Sequence, residues 1–405
     1  MSNSANKPAI LGGAVLFERG LNLATPDLPP VESFFEGLCS IIDTGVLTKG
    51  KFLREFERAV AALAGTKEAV GVSSCTSGLL LVHKCLKIEG EVILPSFTFM
   101  ASALGIVWNN ASPVFVDIDP QTWNVDPAKV EESLTERTGA IIATHVFGNP
   151  ANVDELWRIA QKAGVPLVFD AAHGFGSRHN GVPVGGSGSC EVFSCSPTKL
   201  VICGEGGVVT TNNEELACEL RCAREYGNVG NYDLVLPGLN ARLPEFNALL
   251  GLKGLERLEG VVQRRNYLVG RLKQLLGDLP GVQFQKVLDG ERSSYKDLTC
   301  RIDAVEFGLS RDEVVQALAA EGIDTRNYYD PPCHKQTYWR TQGRIGPSGL
   351  VNTEQLSKSA LTLPLSSRLL DADIDNLAEA LWRLHKHCSS VKRLLAGRSS
   401  QQAGV

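Results

Sequence analysis

Apolar residues recur along this chain in two alternating textures. Short runs dense in Val, Ile, Leu and Phe lie at 68–74 (EAVGVSS), 91–95 (EVILP), 113–119 (PVFVDID), 140–146 (AIIATHV), 165–170 (VPLVFD), 190–195 (CEVFSC) and 206–211 (GGVVTT). Each has the length and composition of a buried strand. Between the first five, apolar positions at helical spacing predict helices over 77–88, 98–109, 127–135 and 153–163. Strands that alternate with helices imply an α/β fold, a mostly parallel seven-stranded sheet covered by helices on both faces. The last two candidate strands are joined by only about ten residues with no helical pattern, too few for a crossover, so the final strand is expected to run antiparallel.

The flanks read differently. Residues 1–30 form an irregular lead-in broken by Pro26, Pro29 and Pro30, and a helix starts near Val31. In KFLREFERAVAALAG a helix places Phe52, Phe56, Val60 and Leu63 on one face and stops at Gly65. Further helices are expected over 213–226 and from 243 to 277, the second long enough to join two units. A strand at 296–303, a capped helix at 310–322 and a last helix from Asp371 to about His387 make a smaller α/β unit. The expected organisation is therefore a lead-in (1–30), a large domain (31–255), a linking helix (256–280), a small C-terminal domain (281–395) and a disordered tail (396–405).

Composition narrows the function classes. The chain has 405 residues, 43% hydrophobic and 21% charged, room for a sizeable core. A net charge of −5 gives no electrostatic reason to expect nucleic acid or an anionic membrane as partner. No apolar stretch reaches the length of a membrane span, and MSNSANKPAI lacks the basic and apolar regions of a signal peptide, so a cytoplasmic location is expected. The eleven cysteines form no CxxC pair and many sit inside apolar runs, as reduced, buried thiols do. HKHC at the end of the last helical pattern lacks partner ligands, and no metal is expected. GVLTKGKF has Phe52 where a phosphate-binding P-loop needs Ser or Thr, and GFGSRHNG has His179 where a dinucleotide fingerprint needs its third glycine.

Four features fall at the C-terminal ends of the expected strands, where open α/β sheets place ligands. SSCTSGLL follows the first strand and opens a helix, offering hydroxyls and free amides to an anion, or simply capping that helix. Asp170 ends an apolar strand, with His173 three residues on. Phe99 follows the second strand and can stack on a flat ligand or serve the core. Lys199 lies in FSCSPTKLVICGEGG between small polar residues and an apolar tripeptide, where an ammonium is costly to bury uncompensated. A lysine amine can form a Schiff base with an aldehyde, a carboxylate can keep a pyridine nitrogen protonated, a helix start can hold a phosphate, and an aromatic can cover a ring. Together these are the parts of a pyridoxal 5′-phosphate site.

With these residues in place, the chain from about 25 to 390 resembles the DegT/DnrJ/EryC1/StrS family of sugar aminotransferases, of the aspartate-aminotransferase fold type. GVLTKGKFLREFE, EVILPSFTFMASA, THVFGNPANVDEL, VFDAAHGFGS, GLNARLPEFNALLGLKGLERL and NYYDPPCHKQ carry the likeness together with the lysine segment. The resemblance implies that Lys199 holds the cofactor and shuttles protons. Asp170 would pair with the pyridine nitrogen, His173 would sit near the ring hydroxyl and Phe99 would stack on the ring. The Cys75 backbone, Thr76 and Ser194 would hold the phosphate, joined by Asn240 from a partner chain, so that a homodimer shares its active sites. Arg242, Tyr328 and His334 are implied as substrate contacts. The implied reaction moves an amino group from L-glutamate or glutamine, through pyridoxamine 5′-phosphate, to a keto-sugar, a nucleotide-linked 4-keto or 3-keto hexose. A carbocyclic ketone acceptor, a sugar lyase or dehydratase, and a catalytically silent cofactor-binding regulator stand as alternatives. Cys75 departs from the family's usual glycine, and SCSPTK from its commoner lysine segment.

Overall fold

The computed structural model describes residues 7–402. Its strands are β1 (Glu68–Val72), β2 (Glu91–Pro95), β3 (Ser112–Val116), β4 (Thr138–Thr144), β5 (Leu167–Asp170), a two-residue hairpin of β6 (Arg178–His179) and β7 (Val182–Pro183), then β8 (Cys190–Ser194) and β9 (Gly207–Thr211). After the long helices come β10 (Val282–Phe284), β11 (Leu298–Ile302), β12 (Arg344–Ile345) and β13 (Ala360–Leu363). The large sheet runs β1–β9–β8–β5–β4–β2–β3–β12. It has eight strands where seven were expected, because Arg344–Ile345 adds to β3 in parallel. From β8 to β12 the strands are parallel, and β9 lies antiparallel between β1 and β8. Strands β2, β5 and β8 are buried at every residue, which explains their unbroken apolar runs.

Helices cover the sheet as the spacing requires. Ser74 caps the helix Cys75–Cys85 by accepting from the Ser77 amide while the Ser77 hydroxyl returns to the Ser74 amide, a reciprocal capping box. The helix Lys51–Ala64 buries Phe52, Leu53, Phe56 and Val60; Leu63, expected on that face, is exposed, and Leu53 takes its place. Its first turn is closed from afar, where Glu245 accepts from the amides of Gly50, Phe52 and Leu53. The single helix expected over 243–277 is two, Glu245–Leu255 and Leu258–Leu276. The first packs tightly on Lys51–Ala64, so that a Cβ on Gly251 would meet the Phe56 ring at 2.8 Å. The second turns away to reach another core, and the break lets one axis become two.

That second core surrounds the antiparallel sheet β10–β11–β13. Leu268, Leu272 and Leu276 pack into it with Leu377 and Leu381 of the helix Asp371–Lys386, and Phe17 and Leu21 of the lead-in join them. At its other end the same long helix places Leu258, Val261 and Val262 against the large unit. The last helix breaks at His387 and resumes as Cys388–Gln402, so the tail expected to be disordered is helical as far as Gln402. Residues 1–6 and 403–405 lie outside the described residues. Among the described residues no helix is long and apolar enough to cross a membrane.

Candidate active site

Lys199 is set by the connection between β8 and β9. The Cys195 amide donates to the Gly206 carbonyl at 2.9 Å, the Cys203 amide to the Cys195 carbonyl at 2.8 Å, and the Lys199 amide to the Ser196 carbonyl at 3.0 Å. The glycine corner is what allows this tight return. Gly204 has φ 76°, and a Cβ on Gly206 would come within 2.9 Å of Cys203 and Leu243. The lysine side chain faces a cavity of about 340 Å³ lined also by Asp170, His173, Cys75, Thr76, Ser194, Phe99 and Tyr328.

Each group is held by its neighbours. Asp170, at the end of β5, accepts from the Ser102 hydroxyl at 2.6 Å and from the Ala172 amide at 3.0 Å. The Cys75 thiol lies 3.9 Å from the same carboxylate. Burial, then Asp170 itself, pushes the Cys75 thiol well above its ordinary pKa, so it stays protonated and can donate. Cys75 occupies the first helical position without the left-handed backbone that would favour glycine, so the departure from the family residue is sterically free here. The His173 Nδ1 accepts from the Phe147 amide at 3.2 Å, which leaves the proton of the neutral ring on Nε2. Burial, aided by Lys199 and Lys296, holds His173 well below its usual pKa and keeps it neutral. Phe147 stacks on its ring.

The anion end of the cavity is the helix start at Cys75. Ser74 and Ser77 are consumed by the cap, leaving the Thr76 hydroxyl, the Ser194 hydroxyl, and the Cys75 and Thr76 amides that no intrahelical carbonyl can reach. A carboxylate, an amine, and a cluster of hydroxyls and free amides at a helix N-terminus around one cavity fit pyridoxal 5′-phosphate in donor set.

Burial lowers the Lys199 pKa to about 8, with Lys296 as the next cause and Asp297 opposing it. The neutral, nucleophilic fraction therefore rises from roughly a tenth to roughly nine tenths across the two units centred on that value. The rate at which cofactor-free protein captures pyridoxal 5′-phosphate is expected to rise with pH and level off above about 8. A midpoint near the ordinary 10.5 would contradict the burial. For a depressed lysine the unfolded chain binds the proton more tightly. Stability from this group is thus lowest below pH 8 and recovers as pH rises toward 10.5.

Three residues singled out in the sequence lie elsewhere. Asn240 is exposed, and Arg242 pairs with Glu225 at 3.0 Å and lies over the Tyr226 ring. His334 is held between the Ser96 hydroxyl at 2.7 Å and Glu354 at 3.3 Å, outside the cavity of this chain. Conversely, Ser102, Tyr329, Lys296 and Asp297 belong to the site and were missed. Ser102 follows Phe99 by three residues, a spacing that could have marked it. Lys296 and Asp297 are two charges at the head of an apolar strand, a signal of a buried polar function.

A family model described as the DegT/DnrJ/EryC1/StrS aminotransferase family matches residues 31–382. The spore coat polysaccharide biosynthesis protein SpsC of Bacillus subtilis (strain 168) is 32% identical over 354 residues, which cover 84% of this chain and 91% of SpsC. The crystal structure of DesI in the presence of its TDP-sugar product superposes with a TM-score of 0.89 at 35% identity, covering 97% of this chain and 99% of DesI. That of S. venezuelae DesV gives 0.80 at 32% identity, covering 89% and 99%.

Proposed function

Because the chain belongs to the DegT/DnrJ/EryC1/StrS aminotransferase family and is a pyridoxal 5′-phosphate-dependent sugar aminotransferase, we propose that it moves an amino group from L-glutamate to a nucleotide-linked 4-keto or 3-keto hexose. The observation that carries this reading is the convergence of Lys199, Asp170 and His173 on one cavity with an anion-binding helix start. The TDP-sugar product named with DesI supports a nucleotide-linked substrate.

Bound pyridoxal 5′-phosphate supplies an aldehyde that condenses with amines and a ring that accepts the electrons of a broken Cα–H bond. Lys199 Nζ is the amine that would hold that aldehyde and, when free, would take the proton from the donor Cα and return it to the former aldehyde carbon. Asp170, its orientation fixed by Ser102 and the Ala172 amide, would keep a proton on the ring nitrogen. His173 Nε2 would be free to donate to the ring oxygen, and the Cys75 and Thr76 amides with Ser194 would hold the phosphate. Phe99 and Tyr328 both line the cavity, where Phe99 would cover the cofactor ring and Tyr328 would meet the substrate.

The test is an absorbance spectrum of the reconstituted protein. L-glutamate should convert the pyridoxal 5′-phosphate band to that of pyridoxamine 5′-phosphate, and a nucleotide-linked 4-keto hexose should reverse it. Reversal by an unlinked carbocyclic ketone, with no response to the nucleotide sugars, would sink the acceptor.

The working unit in this reading is a cytoplasmic homodimer. All eleven cysteines are unpaired, as in a reducing compartment. Tyr226, Val229, Leu234, Val235, Leu239 and Tyr232, the last 98% exposed, are exposed apolar side chains on the segment that leads into Asn240, a surface suited to being covered by a partner. Covering it with a second copy would bring Asn240 of the partner subunit to the phosphate end, with Arg242 and His334 nearby for the substrate. Chains carrying Lys199→Ala and chains carrying Asn240→Asp should each be inactive. Unfolded and refolded together they should recover roughly a quarter of wild-type activity, since random pairing leaves one intact site in half of the dimers. No recovery would refute the shared site.

A further inference from the structure

Lys296 is a cation inside the cavity with no part in the steps above. The segment that carries it is rigid. Buried Arg265, on the long helix, donates to the Tyr295 carbonyl at 2.8 Å and to the Lys296 carbonyl at 2.7 Å. Ser294 binds the Gly148 carbonyl through its amide at 3.1 Å and the His173 carbonyl through its hydroxyl at 2.9 Å. The cation is thus fixed against the loop that carries His173. Both Lys296 and its neighbour Asp297 are more than nine-tenths buried and line the cavity with Lys199.

Their polar valences are not filled. The Lys296 ammonium donates to Asp297 Oδ1 at 2.8 Å and to no other group among the described residues, and Asp297 Oδ2 has no partner. A buried ion pair repays its desolvation only when its remaining donors and acceptors are satisfied. This pair is therefore built for a ligand that completes it. The cation also bears electrostatically on Lys199, as its effect on that amine shows. A donor that displaces Lys199 from the aldehyde and offers an anion to Lys296 must carry an amine and a negative charge close together. An amino acid carries its carboxylate on the carbon that bears the amine, whereas a nucleotide-linked keto-hexose carries its diphosphate on C1, away from the keto carbon at C3 or C4, which is flanked by neutral oxygens.

We propose that Lys296 binds the α-carboxylate of the amino donor, with Asp297 as the counter-ion that orients its ammonium. One cavity then accepts two unlike substrates in turn. The donor is gripped by charge at its reacting carbon, and the sugar, whose anion lies away from its keto carbon, leaves the Lys296–Asp297 pair closed on itself. The inference rests on L-glutamate as donor.

Half-reactions of the reconstituted dimer with L-glutamate and with its α-carboxamide test it. Wild type should favour L-glutamate in KM by roughly tenfold to a hundredfold, the span of a charge-assisted hydrogen bond. Lys296→Met should abolish that preference by raising the KM for L-glutamate alone, with the saturated rate changed far less, and Lys296→Arg should restore part of it. Calorimetric titration with glutarate, which cannot react, should show the same loss of affinity. Unchanged glutarate binding and an unchanged preference in Lys296→Met would overturn the proposal. So would a wild type that takes the α-carboxamide as readily as L-glutamate, a result that needs no variant to fold. Failure of the donor reading would look different, as a wild-type spectrum that L-glutamate does not alter.

Discussion

Replacing Lys199 with alanine is expected to lower turnover by at least about 10⁴-fold, because in the proposed mechanism one group serves as both the cofactor's attachment and the proton carrier. The loss should come with little change in fold. Lys199 makes no side-chain hydrogen bond among the described residues, and the turn that holds it is closed by backbone groups of Cys195, Ser196, Cys203 and Gly206. The variant should still bind pyridoxal 5′-phosphate through the helix start and Asp170, yet show the spectrum of the free aldehyde. Turnover followed with L-glutamate, beside circular dichroism of both proteins, checks this. Activity within a hundredfold of wild type would remove Lys199 from its central place.

The second large effect is at Asp170. Asp170→Asn keeps the volume and both neighbours but removes the charge that holds the ring nitrogen protonated. Turnover is expected to fall by roughly 10³-fold, in the range of a lost electrostatic partner at a reacting centre. Lys199 is untouched, so the cofactor should load with its normal spectrum, and the defect should appear in the rate at which L-glutamate exchanges its Cα hydrogen with solvent. Ser102→Ala should cost far less, about tenfold, since the Ala172 amide still fixes one carboxylate oxygen. An Asp170→Asn enzyme within tenfold of wild type would refute the assignment.

Much of this architecture could be read in the chain. The buried strands announce themselves because a parallel strand covered on both faces has no reason to alternate, and LVFD or CEVFS shows that plainly. The antiparallel β9 followed from the shortness of its connection. The Ser74 cap, Asp170 and Lys199 were legible because each sits where a strand ends. What was hidden depends on contacts between distant segments. Neither Glu256 nor Arg257 is a glycine or proline, and Gly254 and Gly260 on either side lie inside the two helices, so the turn itself has no local mark; it is forced by two cores pulling in different directions. β12 is two residues long and owes its place to β3. Lys296 and Asp297 reach the cavity from the smaller sheet's side of the chain, and sequence distance conceals that. The last helix was expected to end near His387, yet a further helix follows and its Val391 and Leu395 pack into the second core.

The antiparallel β9 has a consequence for how the protein is made. β1 emerges early in synthesis, but its only ladder partner is β9, with Glu68 opposite Thr211 and Val72 opposite Gly207. Gly207 also lies so close under the Ser74–Cys75 peptide that a side chain there would collide with it at 2.6 Å. The phosphate-binding helix start is therefore unbraced until a strand far along the chain has been translated and has zipped into the gap beside β8. Contacts of such separation form late, because the chain entropy of closing the loop must be met first. Capture of the cofactor would then act as a signal of completed folding, and nascent chains should gain pyridoxal 5′-phosphate only after β9 has cleared the ribosome.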